Sequence, residues 1–180
     1  MERDDAYWMG KAIAQANKAE AIGEVPIGCV IVKDGAVIAR GHNLRESKQD
    51  PAAHAEMIAI RKAAKKLSTW RLTGATLYVT LEPCTMCMGA VILSRLDRVV
   101  FGSFDPKGGA AGSLYDLSND KRLNHSVELT PGVRGDETSA LLTNFFSALR
   151  ARKKQIKLAN GEMSEWSMVP DSKSGVPKGT

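Results

Sequence analysis

The 180-residue sequence predicts an α/β fold in three layers, α/β/α. Three observations lead there. An amphipathic segment opens the chain, a β-rich hairpin follows, and helical and strand-like patterns then alternate. That order suits a sheet covered by helices on both faces. The length allows one domain with a real core and is too short to expect two. We assign residues 1–160 to that single domain and expect 161–180 to be a mobile tail.

Residues 5–22 read as a helix with Met9, Ile13 and Ala16 on one face, stopped by Gly23. Ile27 to Lys33 is an apolar, β-rich run, Asp34-Gly35 is a hairpin turn signal, and 36–42 returns as a second strand. Residues 43–52 are polar, end in Asp50-Pro51 and read as a loop. Residues 53–67 carry Met57, Ile60, Ala64 and Leu67 at helical spacing. Gly74 interrupts that pattern, and 75–81 is a buried-looking strand. A helix over 84–95 turns Met88, Val91 and Ile92 inward. A strand over 97–102, a glycine-rich loop over 102–113, a fifth strand over 126–130 and a final helix over 136–157 complete the chain.

Composition narrows the classes. The hydrophobic share of 43% and charged share of 25% are ordinary for a globular protein. No run of about 18 apolar residues predicts a membrane span. Met1-Glu2-Arg3-Asp4-Asp5 lacks the basic-then-apolar layout of a secretory signal, so a cytoplasmic protein is expected. Three cysteines give no disulfide framework, which agrees with a reducing compartment. The net charge of +5 permits a polyanionic partner without proving one.

The chemistry centres on His54-Ala55-Glu56 and Pro83-Cys84-Thr85-Met86-Cys87. Imidazole and thiolate are the usual zinc donors, and three protein ligands leave a fourth position open. His54, Cys84 and Cys87 supply that set for one Zn2+ per chain. The cysteines, at i and i+3, share one side of a helix turn. His54 and Glu56, at i and i+2, point about 200° apart on a helix body. They converge only on a site beyond the helix end, and both motifs sit at predicted helix starts. Helix N-termini favour thiolate and hydroxide. Bound zinc lowers the pKa of water from about 15.7 to about 7. Glu56, not needed as a ligand, is placed to move the proton during attack on an amidine-like ring carbon and loss of ammonia. A lone C-x-x-C also suits half a structural zinc site or a redox pair, but no second such motif and no nearby His pair closes a structural site. Cys29 reads as core, and His42 and His125 are assigned to no metal.

Together these two motifs resemble the signature of the cytidine deaminase superfamily, whose chemistry is already established. Within it the chain is similar, over about residues 5–157, to the bacterial tRNA adenosine deaminase family. The similarity extends to Glu24-Val25-Pro26-Ile27-Gly28, Leu81-Glu82-Pro83-Cys84, Arg98-Val99-Val100-Phe101-Gly102 and Gly109-Ala110-Ala111-Gly112-Ser113-Leu114, and to Phe145-Phe146 in the last helix. The resemblance implies a cytidine-deaminase-like fold with a central mixed five-stranded sheet and a homodimer. It implies hydrolysis of adenosine to inosine at the wobble position of a tRNA anticodon, in an arginine tRNA. It assigns zinc to His54, Cys84 and Cys87 and the proton shuttle to Glu56. It also implies that Asn43 and Val25 bind the flipped-out base, and that Asp105 and Lys107 meet the anticodon backbone. Phe145, Phe146, Arg150 and Arg152 fall in a tRNA-facing helix. One departure is Asp136-Glu137-Thr138-Ser139, where the family usually shows Asp-Glu-Cys-Ala. That position is not a metal ligand.

The basic run Arg150, Arg152, Lys153, Lys154 and Lys157 beside two aromatics suits RNA, and equally suits a solvated helix end. Arg61, Lys62, Lys65 and Lys66 read as a solvated face. Two other classes stay open on the residues alone. A deaminase of free bases or nucleosides shares the zinc chemistry. A structural zinc fold that binds RNA without catalysis needs no Glu56.

Overall fold

Strands with apolar side chains on both faces must be covered twice. A computed structural model describes residues 3–166 and meets that requirement. Its elements are α1 (Asp5–Ala21), β1 (Gly28–Lys33), β2 (Ala36–His42), α2 (Arg45–Lys48), α3 (Ala55–Leu67), β3 (Ala75–Leu81), α4 (Thr85–Leu93), β4 (Arg98–Ser103), β5 (Glu128–Thr130) and α5 (Gly135–Trp166). The strand order is β2-β1-β3-β4-β5. β1 pairs antiparallel with β2 and β3, whereas β3–β4 and β4–β5 are parallel. The sheet is therefore mixed and five-stranded, as the resemblance implied.

Period-two alternation sorts the core. Cys29, Ile31, Leu77, Val79, Val99 and Phe101 face α3 and α4, meeting Ala59, Ala63, Met88 and Val91. Val30, Val32, Tyr78 and Val100 face α1, meeting Trp8, Met9, Ala12 and Ile13, with Leu141 of α5 packed alongside. Two glycines permit the contact between layers. A Cβ on Gly28 would lie 2.1 Å from the Ala12 carbonyl oxygen of α1. One on Gly41 would lie 2.1 Å from the Ala55 carbonyl oxygen of α3. Each helix rests directly on strand backbone, which no larger residue allows.

That contact shifts the inward stripe of α3. Its buried residues are Ala55, Glu56, Ala59, Ile60 and Ala63; of the expected Met57, Ile60, Ala64 and Leu67, Ile60 is buried, Ala64 and Leu67 pack partly buried against the core, and Met57 is half-buried. Close approach to Gly41 selects small side chains, and apolar size alone does not reveal this. Two further differences concern boundaries. The segment read as a loop over 43–52 contains the one-turn helix α2, and α5 continues to Trp166, beyond the expected end at 157. The chain falls into two compact units, one reaching Phe145 and one starting at Phe146. The expected mobile tail lies outside the described residues from 167 onward. Among the described residues no helix is long and apolar enough to cross a membrane.

The first turn of α1 is tied to the sheet by charge. Asp4 caps α1 by accepting from the Tyr7 N–H at 2.8 Å. Asp5 accepts from both terminal nitrogens of Arg98, at 2.9 and 2.7 Å, and from the Tyr78 hydroxyl at 2.9 Å. The Arg98 hydrogen bonds hold the Asp5 carboxyl below its ordinary value, outweighing burial. A depressed carboxylate adds stability above its unfolded pKa and loses it as pH falls through the folded value. Asp5→Asn should cost about 1–2 kcal/mol in urea unfolding at neutral pH. The gap to wild type should close as acid protonates Asp5. A gap that stays constant into acid would show that the pair contributes nothing.

Candidate active site and metal centre

β3 ends at Leu81, and Pro83 turns the chain into α4 with Cys84 as its N-cap, in extended backbone at φ −75° and ψ 175°. His54 occupies the same place on α3, at φ −76° and ψ 152°. Neither side chain caps its own helix, so both reach past the helix end. There they meet Cys87, and the ligand atoms of the three lie within 4.8 Å of one another. His54 Nδ1 is 3.7 Å from Cys84 Sγ and 3.6 Å from Cys87 Sγ. Tetrahedral zinc, with Zn–N about 2.0–2.1 Å and Zn–S about 2.3 Å, sets nitrogen and sulfur about 3.6 Å apart. Donor set and spacing both fit that ion. The electrostatics fit as well. Hydrogen bonds from Cys87 and then His54 draw the Cys84 thiol down to about 4, while Cys87, the donor in that pair, is pushed up. His54 is raised, chiefly by Cys84. A thiolate and an imidazole turned toward one point are donors that a divalent cation takes up.

Glu56 stands in the first turn of α3 and is 4% exposed. Its Oε2 has no hydrogen-bond partner among the described residues, and burial pushes its carboxyl above the usual range. A buried carboxylate oxygen without a partner is costly, and such an atom beside three metal donors marks a place where chemistry supplies the partner. Cys29 is fully buried core. Neither His42 nor His125 belongs to the cluster, and His125 Nε2 sits 2.7 Å from the Leu96 carbonyl oxygen.

Backbone bonds bring the expected base-facing residues to the same edge. The Asn43 N–H donates to Ile27 at 3.0 Å, and Leu44 donates to Ala53, the neighbour of His54, at 3.0 Å. Val25 is half-buried in that segment, and Asn43 is 5% exposed. Asn43 Nδ2 donates to Glu24 Oε2 at 3.2 Å, and the Ser47 N–H donates to Glu24 Oε1 at 2.6 Å. Glu24 therefore fixes the amide plane of Asn43. Asp105 and Lys107 lie in the loop after β4. Gly109 of that loop bridges Cys84, and the Ala110 N–H donates to Pro83 at 2.8 Å. Asp105 Oδ1 accepts from the Lys107 and Gly108 N–H groups at 3.0 and 3.1 Å. Its backbone N–H is held by buried Glu82 at 2.9 Å.

Glu24 and Glu82 were not among the expected site residues. The readable signal was a carboxylate set against apolar sequence: Glu82 follows the ATLYVTL strand directly, before Pro83. In the first unit Phe145 is half-buried. In the second, Phe146 is 40% exposed, Arg150 donates to Ser147 Oγ at 3.0 Å and Arg152 is exposed. The Thr138 departure carries its own partners, since its hydroxyl lies 2.8 Å from Ser103 Oγ and donates to the Gly135 carbonyl at 3.1 Å.

Comparison with known proteins agrees with this architecture. A family model described as MafB19-like deaminase matches residues 3–150. The chain is 56% identical over 154 residues to the tRNA-specific adenosine deaminase of Bacillus subtilis (strain 168), covering 86% of this chain and 95% of that one. It is 48% identical over 151 residues to the tRNA-specific adenosine deaminase of Haemophilus influenzae, covering 83% and 87%. A structure from a study of A-to-I editing by tRNA:A34 deaminases at the wobble position superposes with a TM-score of 0.73 at 42% identity, covering 76% of this chain and 99% of that one. A guanine deaminase from Nitrosomonas europaea shares the fold at TM-score 0.68 but only 25% identity, covering 78% and 83%. A hydrolytic deaminase on the cytidine deaminase fold, this chain belongs to the bacterial tRNA-specific adenosine deaminase family.

Proposed function

We propose that this protein hydrolyses adenosine to inosine at the wobble position of a tRNA anticodon, an arginine tRNA being the expected substrate. The observation that carries the reading is the convergence of His54, Cys84 and Cys87 beside a buried carboxylate whose Oε2 has no partner among the described residues. His54, Cys84 and Cys87 would hold one zinc ion, which when bound activates the attacking water as a Lewis acid. The water oxygen bonds to C6 of the purine, and Glu56 takes the proton that it gives up. Glu56 passes that proton to N1, and the proton left on the new C6 hydroxyl is carried to the amino nitrogen as the C6–N6 bond breaks. Ammonia leaves and the carbonyl of inosine remains. Burial suits Glu56 to holding a proton during the cycle.

Asn43, oriented by Glu24, and Val25 would receive the base turned out of the anticodon loop. A loop substrate largely avoids the few kcal/mol of unpairing that a duplex demands. Asp105 and Lys107 would meet the backbone of the anticodon arm. Arg150 and Arg152 would meet phosphates, with Phe145 and Phe146 beside them in sequence. The higher identity to tRNA-specific enzymes than to the guanine deaminase favours RNA over a free base. A homodimer is the expected assembly, supported by Leu93, 68% exposed, which lines one cavity with Leu123.

Four measurements check this. Elemental analysis should find about one zinc per chain in wild type and a several-fold loss in Cys87→Ala; metal-free wild type would remove the centre of the reading. Inosine should form in a minimal anticodon hairpin and in total tRNA but scarcely from free adenosine. Glu56→Ala should lower turnover by about 10²–10⁴-fold with zinc and fold retained, so turnover near wild type would exclude the shuttle. Sedimentation should give a dimer for wild type and a monomer for Leu93→Glu; a monomeric wild type overturns the assembly.

A further inference from the structure

We propose that Glu82 is a positioning residue whose carboxylate clamps the loop bearing Asp105 and Lys107 to the segment ending in Cys84. Resting on the RNA-deaminase reading above, the clamp would hold the RNA-contacting loop at a set distance from the metal centre. Glu82 is 2% exposed. Its Oε2 accepts from the Asp105 N–H at 2.9 Å and from the Ser113 hydroxyl. Its Oε1 accepts from the Ala111 N–H at 3.0 Å and the Ser113 N–H at 2.9 Å. The donors come from both limbs of the loop, so one side chain closes it.

All four partners are donors, and only an ionised carboxylate accepts from all of them. The loop is shaped to the clamp. A Cβ on Gly109 would stand 2.3 Å from the Glu82 carboxylate, and Gly109 is the residue that bridges Cys84. The order then passes outward. Glu82 holds the Asp105 backbone, and the Asp105 side chain holds the Lys107 N–H. Glu82 touches neither substrate nor ligand atoms in this scheme. It acts through the loop.

Glu82→Gln tests it. The amide keeps the shape but turns an NH2 toward one pair of donors. The pair on Oε1 is two backbone N–H groups, whereas the Ser113 hydroxyl on Oε2 can rotate and accept. The amide therefore turns its NH2 to the Oε2 side and orphans the Asp105 N–H. Hydrogen exchange of the zinc-loaded protein should quicken at 105–109 and stay slow at 111 and 113. On an anticodon hairpin KM should rise about tenfold with kcat within about twofold, and zinc content should equal wild type. Unchanged exchange, an unchanged KM, a kcat loss equal to the KM effect, or lost zinc would each overturn the positioning role. If Glu82→Gln does not fold, Gly109→Ala presses on both carboxylate oxygens and should quicken exchange at 105, 111 and 113 together, with the same KM rise, kcat and zinc content, and unchanged exchange or KM there overturns the role. Wild type inactive on every hairpin would sink the RNA reading, and the positioning role with it, whereas the exchange pattern would still report on the clamp.

Discussion

Two helices must begin at the same edge of one sheet for this site to exist, and their first residues must forgo capping. His54 and Cys84 are the N-caps of α3 and α4, and neither bonds its own helix. Neither type is among the best caps, and a missing cap costs about 0.5–2 kcal/mol. What the helices lose in capping, the site gains in donors aimed beyond the helix end, backed by two positive helix termini. Metal bound by these three donors would offset that cost, which would link folding to loading of the centre.

Among the described residues three glutamates are buried, and their partners separate their roles. Glu82 accepts four hydrogen bonds and Glu24 accepts two. Both are lowered, because donors from Ser113 and Asp105 in one case and Ser47 in the other outweigh burial. Glu56 keeps an oxygen without a partner among the described residues, and burial raises it. Satisfied carboxylates organise backbone and the unsatisfied one is suited to moving protons. One residue type serves both ends because environment, not identity, sets the proton affinity.

Close packing ties this chemistry to the fold. Gly41 lets α3 settle on β2, which places the start of α3, and with it His54 and Glu56, against the sheet edge. The small residues Ala55, Ala59 and Ala63 form the seam. Gly28 does the same for α1 on the opposite face. A site held to within a few tenths of an ångström needs helices that cannot slide, and direct contact between helix and strand backbone provides this.

The sequence alone determined the layer order, the five strands, and the grouping of His54, Cys84 and Cys87 as candidate ligands, because these rest on local periodicity and on spacing within two short motifs. The Glu56 role was read the same way, from its offset to His54 at a helix start. Tertiary structure alone decided which face of α3 is buried, that a helical turn forms over Arg45–Lys48, and that Glu24 and Glu82 hold Asn43 and the Asp105 loop. Those facts depend on contacts between residues 14 to 31 positions apart, where a glycine or a backbone N–H on one element chooses its partner on another. Periodicity reports how a segment meets the core, but it carries no record of which distant donors will satisfy a buried charge.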